Sequence, residues 1–200
     1  PMGYLFEDLD DHVARSFTKT IERLSKSGAR IEEIKISPIE AIQPSNNTKS
    51  IVAAEAYALH RDRLESSAIS QYDPYVAHRL GGGRDISASE YIGMINARKK
   101  VWADVDAETR QYDAMILPTS PILPPSLAEL ETIESKTKAN ARCLRNTSLS
   151  NYLDRPTITL PCHPPDTAPV GISLIGSRQD DRRLIAIAVG VETVLNSHRT

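Results

Sequence analysis

The chain has 200 residues, of which 40% are apolar, 25% charged and 5% aromatic. This length fits one domain or part of a larger one, and it can bury a core without disulfides or a structural metal. With 24 basic and 26 acidic side chains, the chain has no basic field that would favour a nucleic acid or an anionic membrane as partner. We expect no transmembrane helix and no signal peptide. Only two cysteines are present, which favours a reduced, cytoplasmic setting.

The first part of the chain predicts a helix and a strand. Apolar residues recur at three- and four-residue intervals from Leu9 to Leu24, the pattern of an amphipathic helix. Gly28 follows, where a left-handed residue often ends a helix. The apolar residues of segment 31–36 then predict a short strand, and segment 42–48 has the composition of a polar turn.

The middle of the chain predicts three further helices. One begins near Ser50, and a shorter one covers Pro74–Leu80 and stops at the glycines of segment 81–83. Ser87 and Glu90 have the spacing of a capping box, which opens a long helix.

Short apolar runs predict three strands in the last part of the chain. They cover Asp113–Leu117, Thr157–Leu160 and Val170–Ile175, with a weakly helical stretch over 129–145 and a final helix from Asp180. Helices that alternate with short strands indicate an α/β fold. We expect a mixed β-sheet flanked by helices on both faces, in a single unit over residues 1–200.

The histidines and glycines give no metal, phosphate or cofactor motif. None of His12, His60, His78, His163 and His198 has the spacing of a zinc site, so ordinary surface histidines are expected and no metal. The triple glycine before Arg84 lacks the phosphate-loop patterns and is better explained as a helix stop. We expect no cofactor.

The sequence also offers no convincing nucleophile, and no catalytic residue is predicted. Cys162 and His163 are adjacent on a strand, so their side chains point to opposite faces. No G-x-S-x-G or S-x-x-K motif surrounds a serine. The prolines of Pro118–Pro125 could bind a polyproline-recognising groove, but a structural or pocket-lining loop is the favoured interpretation.

Three blocks of sequence nevertheless resemble a known family. They are Tyr112–Pro121, like Y-D-x-h-h-x-P-T-x-P; Asn151–Cys162, like N-x-x-G-x-P-x-h-s-h-P; and Ala168–Gly176, like L-P-V-G-h-Q-h-h-G. Together, in this order, they resemble the C-terminal part of the amidase signature family. Two positions depart from the pattern: Asp154 replaces the Gly of the second block, and Ser173 replaces the Gln of the third.

The resemblance implies the C-terminal portion of the amidase signature fold and hydrolysis of amide C–N bonds. The family's catalytic Lys and two Ser lie N-terminal to the part represented here, so the chain is expected to be inactive alone. It would supply sheet and pocket wall to a parent enzyme.

Four residues are expected to bind substrate if the resemblance holds. Arg79 and Gly83 match the family's R-x-x-x-G, in which the Arg can pair with a substrate carboxylate; the alternative is a surface arginine at a helix end. Arg145 and Asn146 lie where the family's pocket residues vary, and Thr119 follows a strand into the pocket loop. No acidic residue occurs in segment 139–151 to hold an α-amino group, which favours a small amide or an acid amide over glutamine.

The expected partner is the missing N-terminal catalytic half, or a second copy of the chain, because a cut sheet exposes apolar edges. No nucleic acid or membrane partner is expected. The alternatives are a non-catalytic binding or structural module, a subunit of a split or amidotransferase-type enzyme, and an adaptor that binds through its Pro-rich loop.

Overall fold

The computed structural model describes residues 1–40, 42 and 50–197. In this part of the chain the α-helices are α1 (Asp11–Lys26), α2 (Ser37–Glu40), α3 (Ile51–Leu64), α4 (Pro74–Gly81), α5 (Ala88–Thr109), α6 (Ile133–Leu144), α7 (Thr147–Leu153) and α8 (Asp181–Asn196). The strands are β1 (Met115–Pro118), β2 (Thr157–Pro161) and β3 (Gly171–Ile175). Short 3₁₀ turns cover Tyr4–Phe6, Ser67–Gln71 and Leu127–Leu130.

The three strands form one sheet in the order β1-β3-β2. Both pairings are antiparallel, and Ile175 of β3 lies between Met115 of β1 and Thr157 of β2. The three predicted strands are therefore confirmed. The sheet is antiparallel throughout the described residues, whereas the sequence predicts a mixed sheet, because β2 and β3 form a hairpin and β1 pairs with β3 in the opposite direction.

Helices cover both faces of the sheet, which confirms the expected α/β arrangement. On one face, Leu117 and Ile175 pack with Val105 of α5 and Leu149 of α7. On the other face, the alternate residues of β3 pack against Leu184 and Ala188 of α8, with Phe17 of α1 beside them. Alternation along each strand sends neighbouring side chains into the two separate cores.

Helix ends follow the signals in the sequence. Ser50 Oγ accepts a hydrogen bond from the Ala53 amide at 3.1 Å, and Ser87 and Glu90 form the predicted capping box of α5. Gly28 has φ 98°, as its place after α1 predicts. Asp154 ends α7 in the left-handed conformation, at φ 56° and ψ 42°. This explains why the family pattern has Gly at that position, since only Gly adopts it without a steric cost.

Two expectations about secondary structure are incomplete or wrong. Segment 31–36 is not a strand: it pairs with no strand in the described part of the chain, and instead the Ile34 carbonyl accepts a hydrogen bond from the Met2 amide. Its apolar side chains serve packing, since Ile36 is fully buried. The sequence does not predict helix α7, because Ser, Thr and Asn are weak helix formers. Packing of its buried leucines into the core holds it instead. Most of the predicted turn over 42–48, and His198, lie outside the described residues.

Candidate functional site

Three hydroxyl groups meet on the face of the sheet that packs against α5 and α7. Thr119 follows β1, Thr159 lies on β2, and Ser173 lies opposite Thr159 on β3. Thr119 Oγ1 is 2.8 Å from Ser173 Oγ and 3.4 Å from Thr159 Oγ1, and the last two oxygens are 3.3 Å apart. We call these three residues the hydroxyl cluster. Ser173 is buried, Thr119 half-buried and Thr159 exposed, so the cluster leads from the core to an open surface.

Gly171 makes this cluster possible. A Cβ atom at this position would lie 2.7 Å from Thr159 Cγ2 and 3.1 Å from Thr119 Oγ1. The Thr119 amide also donates to the Gly171 carbonyl at 2.9 Å, which continues the β1–β3 ladder beyond the end of β1. The glycine of the P-V-G motif therefore lets the two threonines approach each other.

Asn146 ties the start of α7 to the strand that precedes Thr119. Its side chain is only 1% exposed. Its Nδ2 donates to the Pro118 carbonyl at 2.8 Å and to the Leu5 carbonyl at 3.1 Å. Both donor hydrogens are thus committed to backbone oxygens. The structure brings Asn146 close to Thr119 through Pro118, while the Asn146 amide group is occupied by the fold.

Arg145 lies beside Asn146 and also binds backbone. Its guanidinium donates to the Leu5 carbonyl at 3.2 Å and to the Glu7 carbonyl at 2.7 Å. Burial lowers the pKa of Arg145 from its ordinary value, partly offset by the nearby Asp8 and Glu7 carboxylates. Burial also raises the pKa of Tyr4 to about 12, although the Arg145 charge opposes this shift.

Arg79 lies apart from the other three predicted residues. It is exposed near the end of α4, with its guanidinium carbon 5.9 Å from the centre of the Tyr75 ring. Within the described ranges, no hydrogen bond or ion pair joins it to Thr119, Arg145 or Asn146. The R-x-x-x-G spacing has a packing reason: a Cβ on Gly83 would lie 2.0 Å from the Ala53 carbonyl oxygen of α3.

The Pro-rich loop after β1 packs against the rest of the fold and is not an exposed polyproline segment. Pro121 and Ile122 are buried. The Pro121 carbonyl accepts from the Asp10 amide, and Asp10 Oδ2 accepts from the Leu123 amide, both at 2.9 Å. This loop is therefore anchored to the start of α1, as expected for a structural or pocket-lining loop.

A charged group that no sequence motif indicates lies beside this face. Asp106 of α5 binds Arg155 and Arg178, each at 2.7 Å. Arg155 also donates to Thr109 Oγ1 at 2.8 Å. Trp102 packs against the guanidinium groups of Arg98 and Arg178, at 4.8 and 5.1 Å from its ring centre. These contacts fix α5 to the segments that flank β2 and β3, and they join residues too distant in sequence to form a local pattern.

The hydroxyl cluster has the groups to hydrogen-bond a ligand but not to activate a nucleophile. In the described chain its oxygens have no Lys, His or carboxylate partner, and a serine needs such a base to attack an amide. The described residues as a whole include no group of three or more His, Cys, Asp or Glu that could hold a metal. Nor do they include a helix with the length and apolarity to cross a bilayer.

Comparison with known proteins identifies the family. The family model described as Amidase matches residues 2–185. The chain belongs to the amidase family. The 2-amino-5-chloromuconic acid deaminase of Comamonas testosteroni is 26% identical over 196 residues, which are 98% of this chain and 42% of that protein. A glutamyl-tRNA(Gln) amidotransferase subunit from Sulfurisphaera tokodaii is also 26% identical, over 96% of this chain and 44% of that protein.

Solved structures share the amidase fold described above. A single-residue variant of the Kluyveromyces lactis allophanate hydrolase superposes with a TM-score of 0.82 at 23% identity, covering 97% of this chain and 31% of that one. At this identity the likeness shows the fold alone. The amidase chain spans about two fifths of the length of the two curated relatives.

Proposed function

We propose that this chain is the C-terminal part of an amidase that hydrolyses the C–N bond of a small amide or an acid amide. It contributes sheet and pocket wall, and it is inactive alone. The observation that carries the proposal is the hydroxyl cluster, a polar patch on a partly open sheet face that makes no hydrogen bond to a basic side chain of the described residues. The nucleophile and its activating lysine then come from the region of the relatives that the chain does not match.

The four predicted substrate residues receive different roles in this proposal. Thr119 is a wall residue that can donate to or accept from substrate, because it is half-buried and its hydroxyl lies 3.4 Å from that of the exposed Thr159. Arg145 and Asn146 are positioning residues, because their donors hold the Leu5 and Pro118 carbonyls and thereby the strand before Thr119. Arg79 is exposed and has no carboxylate partner in the described residues, so it is available to pair with an acidic substrate.

Exposed apolar side chains support a covering partner. Ile185 and Val189 lie one turn apart on α8 and are 55% and 57% exposed, and Val52 and Leu59 on α3 are 71% and 82% exposed. A monomer gains nothing from apolar groups left in water. Since the relatives are more than twice as long as the match, we assign these surfaces to the remainder of the amidase, and a second copy is the outcome that the experiment must distinguish.

The first experiment measures the mass of the protein made by its native source and the activity of the chain. A mass about twice that of the 22.1 kDa chain, or more, supports the proposal. The isolated chain should release no ammonia from a panel of primary amides and acid amides, and the larger protein should. Turnover by the chain that Ser173→Ala abolishes would contradict the absence of a nucleophile.

The covering surface is tested by sedimentation of the 200-residue chain. If the double substitution Ile185→Gln with Val189→Gln reduces self-association of the chain, the exposed α8 face mediates that association. If the same substitutions leave the larger protein unable to fold or hydrolyse, the remainder of the amidase is the occupant. If they only dissociate oligomers of an otherwise active protein, the occupant is a second copy.

The wall role of Thr119 is tested in the larger protein by Thr119→Val. Thr157→Val is the matched control, since Thr157 is exposed on the same strand face as Thr159 and lies outside the cluster. We expect the first variant to raise KM about tenfold, as a lost hydrogen bond to substrate would, and the control to change it less than about twofold. Equal KM values in the two variants would show that Thr119 does not contact the substrate.

Membership of an amidotransferase-type enzyme is the second candidate. It is supported by the likeness to a protein named as part of a glutamyl-tRNA(Gln) amidotransferase. Hydrolysis of glutamine separates the two, and the absence of an acidic residue from segment 139–151 predicts a preference for other amides. A native mass near 22.1 kDa with no hydrolysis by any assembly would instead indicate a non-catalytic module.

A further inference from the structure

A cavity of about 260 Å³ lies between α1 and the loop that joins β2 to β3. It is on the side of the sheet that carries α1 and α8, because Cys162 in its wall packs with the α8 core. The hydroxyl cluster is on the other side. The cavity is therefore separate from the proposed amide site, and a ligand could occupy it whatever that site hydrolyses.

The charge of the cavity wall is one-sided. Arg15, Lys19 and Arg23 come from one face of α1, at successive four-residue intervals, and no Asp or Glu of the described residues lines the cavity. Like charges four residues apart repel each other and destabilise a helix. The Asp11 carboxylate, 3.8 Å from Arg15, is highly exposed and compensates little. Within the described residues, Lys19 and Arg23 have no carboxylate within 4.0 Å.

The opposite wall of the cavity is held in place by the fold. His12 Nε2 of α1 lies 3.2 Å from the Ala168 carbonyl, which joins the helix to the loop. His163 Nδ1 accepts from the Val170 amide at 3.1 Å and so ties the two ends of the loop together. Pro164 and Pro165 line the same wall and restrict its backbone. These contacts fix the loop wall of the cavity relative to α1.

We propose that this cavity binds a small multivalent oxyanion, either a phosphate ester or a di- or tricarboxylate. A planar guanidinium can donate two parallel hydrogen bonds to either group, and an ammonium adds further donors. The anion would neutralise the repulsion among the three α1 cations, so its binding also stabilises the helix.

The test measures binding of two probes, inorganic phosphate and citrate, to the 200-residue chain by calorimetry at low ionic strength. The variant is Lys19→Gln with Arg23→Gln. Its matched control is Lys26→Gln with Arg182→Gln, which removes the same two charges from exposed positions outside the cavity. Circular dichroism confirms that both variants fold.

We expect saturable binding of at least one probe, weakened about tenfold or more in the cavity variant and less than about twofold in the control. Preference for phosphate indicates a phosphate ester as the natural ligand, and preference for citrate a polycarboxylate. The proposal is overturned if neither probe binds up to about 10 mM, or if the two variants lose affinity equally, since that would be a general effect of net charge.

Discussion

Replacement of Asn146 by Asp tests whether this residue supports the fold. The substitution keeps the shape of the side chain and replaces the amide nitrogen that donates to the Leu5 and Pro118 carbonyls. Two hydrogen bonds are lost, at about 1 kcal/mol each, and the Pro118 carbonyl loses its side-chain donor at a further cost of about 1–3 kcal/mol, whereas the Leu5 carbonyl still accepts from Arg145. Arg145 Nε, 3.3 Å from Oδ1, offsets part of this cost by pairing with the new carboxylate. We expect unfolding to become about 2–4 kcal/mol easier.

Urea denaturation followed by circular dichroism measures this loss. Asn151→Asp is the matched control, since Asn151 is exposed on the same helix. With a slope near 2 kcal/mol per molar urea, the midpoint of Asn146→Asp should fall by about 1–2 M, while the control stays within about 0.3 M. Equal midpoints for the two variants would refute the argument that the Asn146 donors hold the fold, and Asn146 would then count among the residues free to contact substrate.

Further predictions concern backbone conformation and pH. Gly83→Ala should destabilise the chain by about 2 kcal/mol or more, because its Cβ would collide with the Ala53 carbonyl. Gly93→Ala has open space at its Cβ and should stabilise the chain by up to about 1 kcal/mol. Urea denaturation measures both changes, and similar free energies for the two variants would contradict the packing argument. Asp154→Gly should raise stability by about 1 kcal/mol, because it relieves a left-handed conformation; a lower thermal midpoint would count against this. The pKa of Tyr4 is raised from 10.0 to about 12, so its stabilising contribution is complete below pH 10 and is lost as pH rises through about 12. Tyr4→Phe should therefore lose less stability over that interval than the parent chain, and parallel pH profiles would show that Tyr4 does not titrate as expected.

The elements that could be predicted from the sequence are those with local causes. The capping box at Ser87, the glycine after α1 and the apolar runs of the strands act over a few residues, and they place α5, α1 and the sheet correctly. Helix α7 and segment 31–36 depend on distant packing instead. Leu149 and Leu153 hold a helix that propensity does not favour, and Ile36 is buried without any strand beside it.

The site is predictable to a lesser degree, for a similar reason. The place of Thr119 after a strand indicates a pocket residue, but its neighbours Thr159 and Ser173 follow only from the register of β2 and β3. The sequence places Arg145 and Asn146 near a pocket without showing where their donors point. That depends on the Leu5 carbonyl, 141 residues from Asn146 in the chain, and on the Pro118 carbonyl at the end of β1.

The motifs that identify the family are mostly explained by packing, and this limits what they say about substrate. Gly83 lets α4 approach the Ala53 carbonyl, Gly171 lets the threonines of the cluster meet, and the position of Asp154 requires a left-handed residue. Each of these requirements holds for any member with this backbone, whatever amide it hydrolyses. Substrate choice must then lie in side chains that the fold does not already occupy. Of the four residues proposed to bind substrate, Arg79 meets that condition in the described part of the chain, whereas the Thr119 hydroxyl contacts Ser173 and the Asn146 amide holds backbone. We therefore expect substitution of Arg79 to change specificity with the least change in stability.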